Sequence, residues 1–193
     1  MIVGNPSVFA VESEITKAYE RLSFRALGFF VIWIKENCYG IREPTATMLA
    51  NLFDDAVHRI VRRGSHKVSF GLDATARDIA YAYRRAIYDE CEESELFFGM
   101  SASDFAAAIR PSGSVWAPDG GDEAFDDGSY VLHFEDENRV RLIAFTSTRD
   151  FLYDPDSLRE VWLSPSDFYA ILQNWRDQFE AEWNAFPKTP FDY

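Results

Sequence analysis

The stretch Phe29-Phe30-Val31-Ile32-Trp33-Ile34 decides the fold, because it is the longest unbroken apolar run in the chain. Six consecutive large apolar residues, rich in β-branched and aromatic types, are typical of a strand that is buried on both faces. Such a strand needs a covering layer on each side, and the rest of the chain must supply both layers. The residues that follow, 38–41, indicate a short returning strand after a turn near Asn37.

The segment that precedes this run indicates a half-exposed neighbouring strand. Over residues 8–15 apolar and polar side chains alternate, which places Phe9 on one face and both Glu12 and Glu14 on the other. Consecutive elements usually lie side by side in a fold. We therefore expect residues 8–15 to pair with the buried strand and to direct the two carboxylates outward.

Four further segments carry the residue spacing of amphipathic helices, with apolar side chains at intervals of three and four. Two of them begin after a serine that can cap a helix, Ser101 and Ser164. The predicted helices cover residues 45–63, 73–90, 105–110 and 168–186. We expect the first and the last of them to cover the buried strand.

The second half of the chain contains a second β region. Alternation on both sides of the turn at residues 135–138 predicts a hairpin, and residues 160–163 predict one more strand. The order of strands, helices, strands and a final helix favours α+β over alternating parallel units. We predict a single α+β domain over residues 1–193, with an antiparallel β-sheet built from hairpins and covered by about four α-helices.

One segment, residues 111–129, carries no clear helix or strand pattern. It contains four glycines, two prolines, five acids and no base. Structureless loops longer than about 15 residues are uncommon in compact domains and are often functional. We therefore predict an insertion or a partner-binding loop here. Its acids are Asp119, Asp122, Glu123, Asp126 and Asp127.

The charge of the chain is strongly negative and unevenly distributed. The formal net charge is −13, and residues 112–193, with 6 Lys and Arg against 17 Asp and Glu, account for −11 of it. Such a potential repels nucleic acid and anionic membrane surfaces and attracts basic partners. The alternative interpretation is that the acidity serves solubility alone.

The sequence carries no pattern of a catalytic or metal site. Its three histidines, His58, His66 and His133, form no zinc-binding motif, and its acids do not complete a calcium loop. We expect no catalytic, cofactor-binding or metal-binding residues. Two isolated cysteines and the lack of a signal-peptide pattern favour a cytoplasmic location.

A resemblance to a known family lies in the first forty or so residues. The opening Ile2-Val-Gly-Asn-Pro-Ser-Val-Phe-Ala-Val-Glu-Ser-Glu-Ile15 resembles the start of bacterial immunity protein family 42 of the polymorphic toxin systems. The segment Gly28-Phe-Phe-Val-Ile-Trp-Ile34 is similar to the second segment of that family, although Asn37-Cys38 stands in place of a glycine-containing turn. The resemblance implies a cytoplasmic α+β protein that binds and blocks a cognate toxin encoded beside it.

Together these features predict an immunity protein, not an enzyme, that neutralises its toxin by stoichiometric occlusion through an acidic surface. We expect the toxin to be basic, and if it is a nuclease, the carboxylates would take the place of its substrate phosphates. No nucleic acid or membrane is expected as a partner, and the sequence leaves the oligomeric state open. The predicted contact residues are Asp119, Asp122, Glu123, Asp126, Asp127, Glu135, Asp136 and Glu137, followed by Glu12 and Glu14.

Two other functions remain open at the level of sequence. An enzyme with a carboxylate-based active site in the C-terminal half would need a concave pocket that holds two or more convergent buried carboxylates. A non-catalytic regulatory or scaffold module would use its acidic surface for solubility alone. The arrangement of the carboxylates in the fold distinguishes the first of these alternatives from an inhibitor.

Overall fold

The computed structural model describes residues 1–70, 73–92, 94–118, 123–147 and 153–190. These residues form ten strands and four α-helices. The strands are β1 (Ile2–Asn5), β2 (Phe9–Tyr19), β3 (Ala26–Ile34), β4 (Asn37–Tyr39), β5 (Thr47–Met48), β6 (Val115–Ala117), β7 (Ser129–Glu135), β8 (Val140–Thr146), β9 (Arg159–Leu163) and β10 (Lys188–Thr189). The helices are α1 (Ala50–Val61), α2 (Ala76–Tyr88), α3 (Ala102–Ile109) and α4 (Pro165–Ala185).

The strands are divided between two sheets. In the first sheet β1, β2, β3 and β4 follow one another in antiparallel order, β5 pairs with β3, and β10 runs parallel to β2. The second sheet has the antiparallel order β6, β7, β8 and β9. The prediction of an α+β fold built from antiparallel hairpins is confirmed, with its strands in two sheets.

The apolar run lies in β3, at the centre of the first sheet. It pairs with β2, beginning with Phe9 opposite Ile34. The alternation of apolar and polar residues over 8–15 predicts this pairing. On the covered face Phe30 is 1% exposed, and its ring lies 5.2 Å from that of Trp175 in α4. On the other face Trp33 is half-buried, so the run is not equally covered along its whole length.

Two apolar cores lie on opposite faces of the second sheet. The first core joins side chains of both sheets to α1 and α4, and includes Val131 and Leu142. The second core joins the other face to α2 and α3, and includes Leu132 and Phe145. The sheet is therefore buried on both sides, since odd and even positions of β7 and β8 face different cores.

Two short strands differ from the sequence-based expectation. The first of them, β1, lies before the predicted strand 8–15 and pairs with β2 from Ile2 opposite Glu12 onward. The predicted helix 45–63 begins only at Ala50, because Thr47 and Met48 pair with β3 first. Both strands are formed by pairing with another strand, and the local residue pattern does not reveal that pairing.

Candidate functional site

Three exposed carboxylates lie in the connection between β6 and β7. Glu123, Asp126 and Asp127, which we call the acidic turn, surround a short 3₁₀ helix at Glu123–Phe125. Between them Ala124 and Phe125 are 0% and 3% exposed, so apolar contacts hold the underside of the turn. The backbone N–H of Ile41 donates to the carbonyl of Ala124 at 2.7 Å, which fixes the turn to the segment after β4.

The carboxylate of Asp127 orders the end of the acidic turn. It accepts hydrogen bonds from the backbone N–H of Ser129 at 3.0 Å and from the Ser129 hydroxyl at 2.9 Å. The same hydroxyl oxygen accepts a hydrogen bond from the backbone N–H of Gly40 at 3.0 Å. The turn therefore presents its charges on an ordered backbone, which limits the entropy lost when a partner binds.

Glu12 and Glu14 lie on the outward face of β2, as the alternation predicts. The Glu12 carboxylate accepts three hydrogen bonds from Arg42, the shortest at 2.8 Å, and one from the indole N–H of Trp33 at 2.9 Å. Burial opposes ionisation of this group, but the hydrogen bonds from Arg42 and Trp33 outweigh it and hold the pKa of Glu12 below its usual value. Glu12 is therefore a fixed anion, whereas Glu14 is exposed.

Residues 41 and 42 connect the two sets of carboxylates, because Arg42 donates to Glu12 at 2.8 Å and the preceding Ile41 donates its backbone N–H to Ala124 of the acidic turn at 2.7 Å. Burial first, and then the carboxylates of Glu12 and Asp127, raise the pKa of the Cys38 thiol to about 11. The Arg42 guanidinium, whose pKa is raised mainly by Glu12, also lies within the field of Glu14. The structure thus brings the acidic turn together with Glu12 and Glu14, and we call these five residues the acidic face.

The first two acids of the 111–129 segment, Asp119 and Asp122, lie outside the described residues. Part of that segment is β6, which pairs with β7 in the second sheet. The predicted contact residues Asp136 and Glu137 lie in the β7–β8 turn, at the far end of β7 from the acidic turn. The seven residues of β7 separate the two sites by roughly 20 Å, at about 3.3 Å per residue.

The structure places Glu135 in the interior, where it cannot contact a partner. Its side chain is 2% exposed. One carboxylate oxygen accepts from the backbone N–H groups of Gly64 at 2.7 Å and His66 at 3.2 Å, and the other accepts from the Tyr169 hydroxyl at 2.6 Å. The expectation of surface exposure was wrong for this residue, because the backbone donors after α1 need a buried acceptor.

Comparison with known proteins gives the family of the chain. Residues 1–178 match the sequence model of the family described as Immunity protein 42. The chain belongs to the Immunity protein 42 family. It is thus an immunity protein, whose partner is a cognate toxin that it neutralises.

A solved structure, CdiI from Burkholderia dolosa AUO158, is similar to this immunity protein. The sequence identity is 17%, the similarity covers 92% of this chain and 99% of that chain, and the TM-score is 0.49. No curated protein matches the sequence. Within the part of the chain that the structure describes, no helix is long and apolar enough to cross a membrane.

The immunity protein also contains a buried polar cluster, which we define as Arg59, His66, His133 and Glu135. The histidine rings lie 4.3 Å apart. A guanidinium only donates, so the Nδ1 of His133, 3.3 Å from Arg59, is an acceptor and its proton lies on Nε2. The Nδ1 of His66 lies 3.0 Å from the carbonyl of Ser112 and therefore carries the proton of that ring.

Both histidines of the buried polar cluster are held neutral. Burial first, and then the nearby Arg59 guanidinium, lower the pKa of His66 and lower that of His133 further. Arg59 itself donates to Asp55, to the carbonyl oxygens of Gly113 and Val115, and to His133. Arg59 and His66 are therefore buried side chains, and their hydrogen-bond partners lie within the protein.

The enzyme alternative needs two convergent buried carboxylates. Among the described residues Glu135 is the only carboxylate that is buried. No group of three histidine, cysteine or acidic side chains in the described part of the chain is placed to hold a metal ion. The carboxylates that the fold does bring together are the five of the acidic face, which lie at the surface or only partly buried.

Proposed function

We propose that this immunity protein neutralises its toxin by stoichiometric occlusion, with the acidic face as the contact surface. The observation that supports the proposal is that the segment after β4 contacts both Glu12 of β2 and the acidic turn, which are more than a hundred residues apart in the chain. Asp119 and Asp122 precede the acidic turn in the sequence and stay predicted contact residues, which lie outside the described residues. Asp136 and Glu137 form a separate, secondary acidic site, and Glu135 has no place in either because it is buried.

The partner that fits this surface is a basic toxin domain. An exposed carboxylate cluster complements a cationic cleft, and in a nuclease that cleft binds substrate phosphates. Exposed charges act mainly on the association rate and on the choice of partner, and less on affinity. The acidic face would then guide the toxin and block its cleft.

We also propose that the protein inhibits without catalytic activity of its own and that it acts in the cytoplasm. Within the polar cluster Arg59 donates to His133, and Glu135 accepts from Tyr169 and from two backbone N–H groups, which favours a structural role for these side chains. Cys38 and Cys91 are both unpaired thiols, as is usual in a reducing compartment.

The test is a protection assay in cells that express the toxin domain encoded beside this chain. The double variant Glu123→Lys/Asp126→Lys reverses two exposed charges of the acidic turn. We expect it to lose protection, and we expect its association rate with an inactivated toxin domain to fall by about 10-fold at low salt. Sedimentation of the wild-type mixture should show a one-to-one complex.

A matched control makes the same charge change elsewhere. Asp177→Lys/Glu180→Lys replaces two exposed carboxylates of α4 and should protect as well as the wild type. Full protection by the Glu123→Lys/Asp126→Lys variant would remove the acidic turn from the interface. Lack of protection by the wild type would refute the proposal as a whole.

A further inference from the structure

A second surface of different chemistry lies along α2. Four large apolar side chains are exposed there: Tyr81 by 49%, Tyr88 by 48%, Leu96 by 62% and Phe98 by 38%. A cavity of about 340 Å³, which we call the α2 groove, is lined by Tyr81, Leu96, Phe97 and Phe98 together with the acids Asp78 and Glu95. Apolar groups concentrated in this way are typical of interaction sites, whereas single exposed apolar residues are ordinary.

Phe98 is held at this surface in a strained conformation. The backbone N–H of Phe97 donates to the carbonyl of Met100 at 2.8 Å, and that of Met100 donates back at 3.0 Å. The two residues between them, Phe98 and Gly99, have φ values of +54° and +80°, as in a type I′ turn. Such a turn favours Asn or Gly at its first central position, and a bulky side chain there is uncommon.

Aromatic packing holds the strained residue in place. The Phe98 ring stacks on that of Phe70, with centroids 5.0 Å apart and 15° between the planes, and lies 6.0 Å from Phe105. Strained residues persist only where the surrounding structure fixes them, and they concentrate at functional sites. The turn thus presents one rigid aromatic edge to the α2 groove, which suits the binding of an apolar side chain.

The charges around the α2 groove select a basic partner. Glu95 forms a bidentate ion pair with Arg85, with both N–O distances at 3.1 Å, and Asp89 lies 3.5 Å from the same guanidinium. Over residues 73–98 the sequence carries seven acids against three arginines, so the segment that forms the groove has a net negative charge. The groove is therefore apolar inside and acidic around it.

The end of α2 and the acidic turn both adjoin the start of β7. The ring of Tyr88, at the end of α2, lies 5.8 Å from that of Tyr130. Tyr130 follows Asp127 of the acidic turn by three residues.

We infer that the α2 groove binds an apolar side chain of the toxin that is flanked by basic residues. This inference rests on the proposed function, since it assumes a toxin bound at the acidic face. The groove provides the buried aromatic contacts that dominate binding energy, and the acidic face provides the exposed charges that set the association rate. The two regions therefore contribute to different rate constants.

The test compares two leucines of equal exposure. Leu96→Ser removes an apolar side chain of the α2 groove, and Leu22→Ser removes one that is 60% exposed between β2 and β3. With the inactivated toxin domain encoded beside this chain as the probe, we expect Leu96→Ser to weaken binding by about 30-fold, mostly through faster dissociation. Leu22→Ser should bind like the wild type, and the midpoint of thermal unfolding should be unchanged in both variants.

A second variant, Tyr81→Ser, should weaken binding to a similar degree. If Leu96→Ser and Tyr81→Ser both bind the probe as tightly as the wild type, the inference about the groove is wrong and the proposed function stands. If the wild type itself does not bind the probe, the proposed function fails as well. If the wild type forms a dimer that Leu96→Ser abolishes, the groove binds a second copy of this chain and the inference is overturned.

Discussion

At the start of β7 the carboxylates of Glu123 and Asp126 are exposed, whereas at its end the carboxylate of Glu135 is 2% exposed and accepts three hydrogen bonds. The strand β7 therefore connects solvent-exposed carboxylates at one end to a buried carboxylate at the other. Exposed carboxylates contribute little to stability and are available to a partner. A buried carboxylate is essential to its neighbours and unavailable to a partner, so acidity alone does not locate an interface.

The largest effect should come from removing the buried carboxylate. Glu135→Ala leaves the N–H groups of Gly64 and His66 and the hydroxyl of Tyr169 without their acceptor. We expect a loss of about 3–5 kcal/mol in the free energy of unfolding, measured by urea denaturation. The control Glu137→Ala, two residues later and exposed, should change it by less than about 0.5 kcal/mol. If the two variants lost equal amounts of unfolding free energy, the buried and exposed carboxylates near the end of β7 would not differ in their contribution to stability.

A smaller effect should follow from the pH dependence of stability. Because burial lowers the pKa of His66 and His133 in the folded state, the unfolded chain binds more protons than the folded protein at mildly acidic pH. The stability is therefore complete above the unfolded pKa of about 6.5 and falls as the pH drops below it, by up to about 1.4 kcal/mol per pH unit for each histidine.

Urea denaturation at pH 7.5 and pH 5.5 measures this slope. The lowered pKa values of Glu12 and Asp136 act at more acidic pH and leave this window to the histidines. The variant His58→Gln, which replaces an exposed histidine, should retain the slope. A stability that does not change between the two pH values would contradict the neutral, buried state assigned to the pair.

The smallest effect on stability should come from the acidic turn. Glu123→Lys/Asp126→Lys should change the free energy of unfolding by no more than about 0.5 kcal/mol, because both side chains are exposed. Its slower association with the inactivated toxin domain should approach the wild-type rate as salt is raised, since salt screens exposed charges. A marked loss of stability in this variant would show that the two ends of β7 differ less than their exposure indicates.

The parts of the fold that local sequence patterns specify are the ones that could be predicted. Alternation over residues 8–15 and the apolar run after it predicted the β2–β3 pair, and Ser164 before an apolar stripe predicted the start of α4. β1 and β5 were missed because strands of four and two residues carry too little alternation to be recognised and form only where a partner strand supplies hydrogen bonds.

The candidate site was predictable only in part. The sequence identified the acids of the acidic turn and the outward direction of Glu12, but it contained no sign that these residues adjoin. Glu135 was placed wrongly because a single position at the end of a strand decides between core and solvent. In the hairpin Glu135 pairs with Val140, and the turn begins only at the next residue. The strained Phe98 was missed because its turn lacks the usual Asn-Gly signal.

In the acidic turn, residues whose contacts stabilise its backbone alternate with residues whose side chains are free to face the solvent. Ala124 and Phe125 are buried beneath the backbone, and Asp127 is tied to Ser129, whereas Glu123 and Asp126 face the solvent. The displayed positions can therefore be exchanged without disturbing the scaffold beneath them. With the acidic face as the proposed toxin contact, a lineage of such inhibitors can follow a changing toxin by successive replacements at Glu123 and Asp126, each nearly neutral for folding. Recognition can thus evolve quickly here on a backbone that evolves slowly.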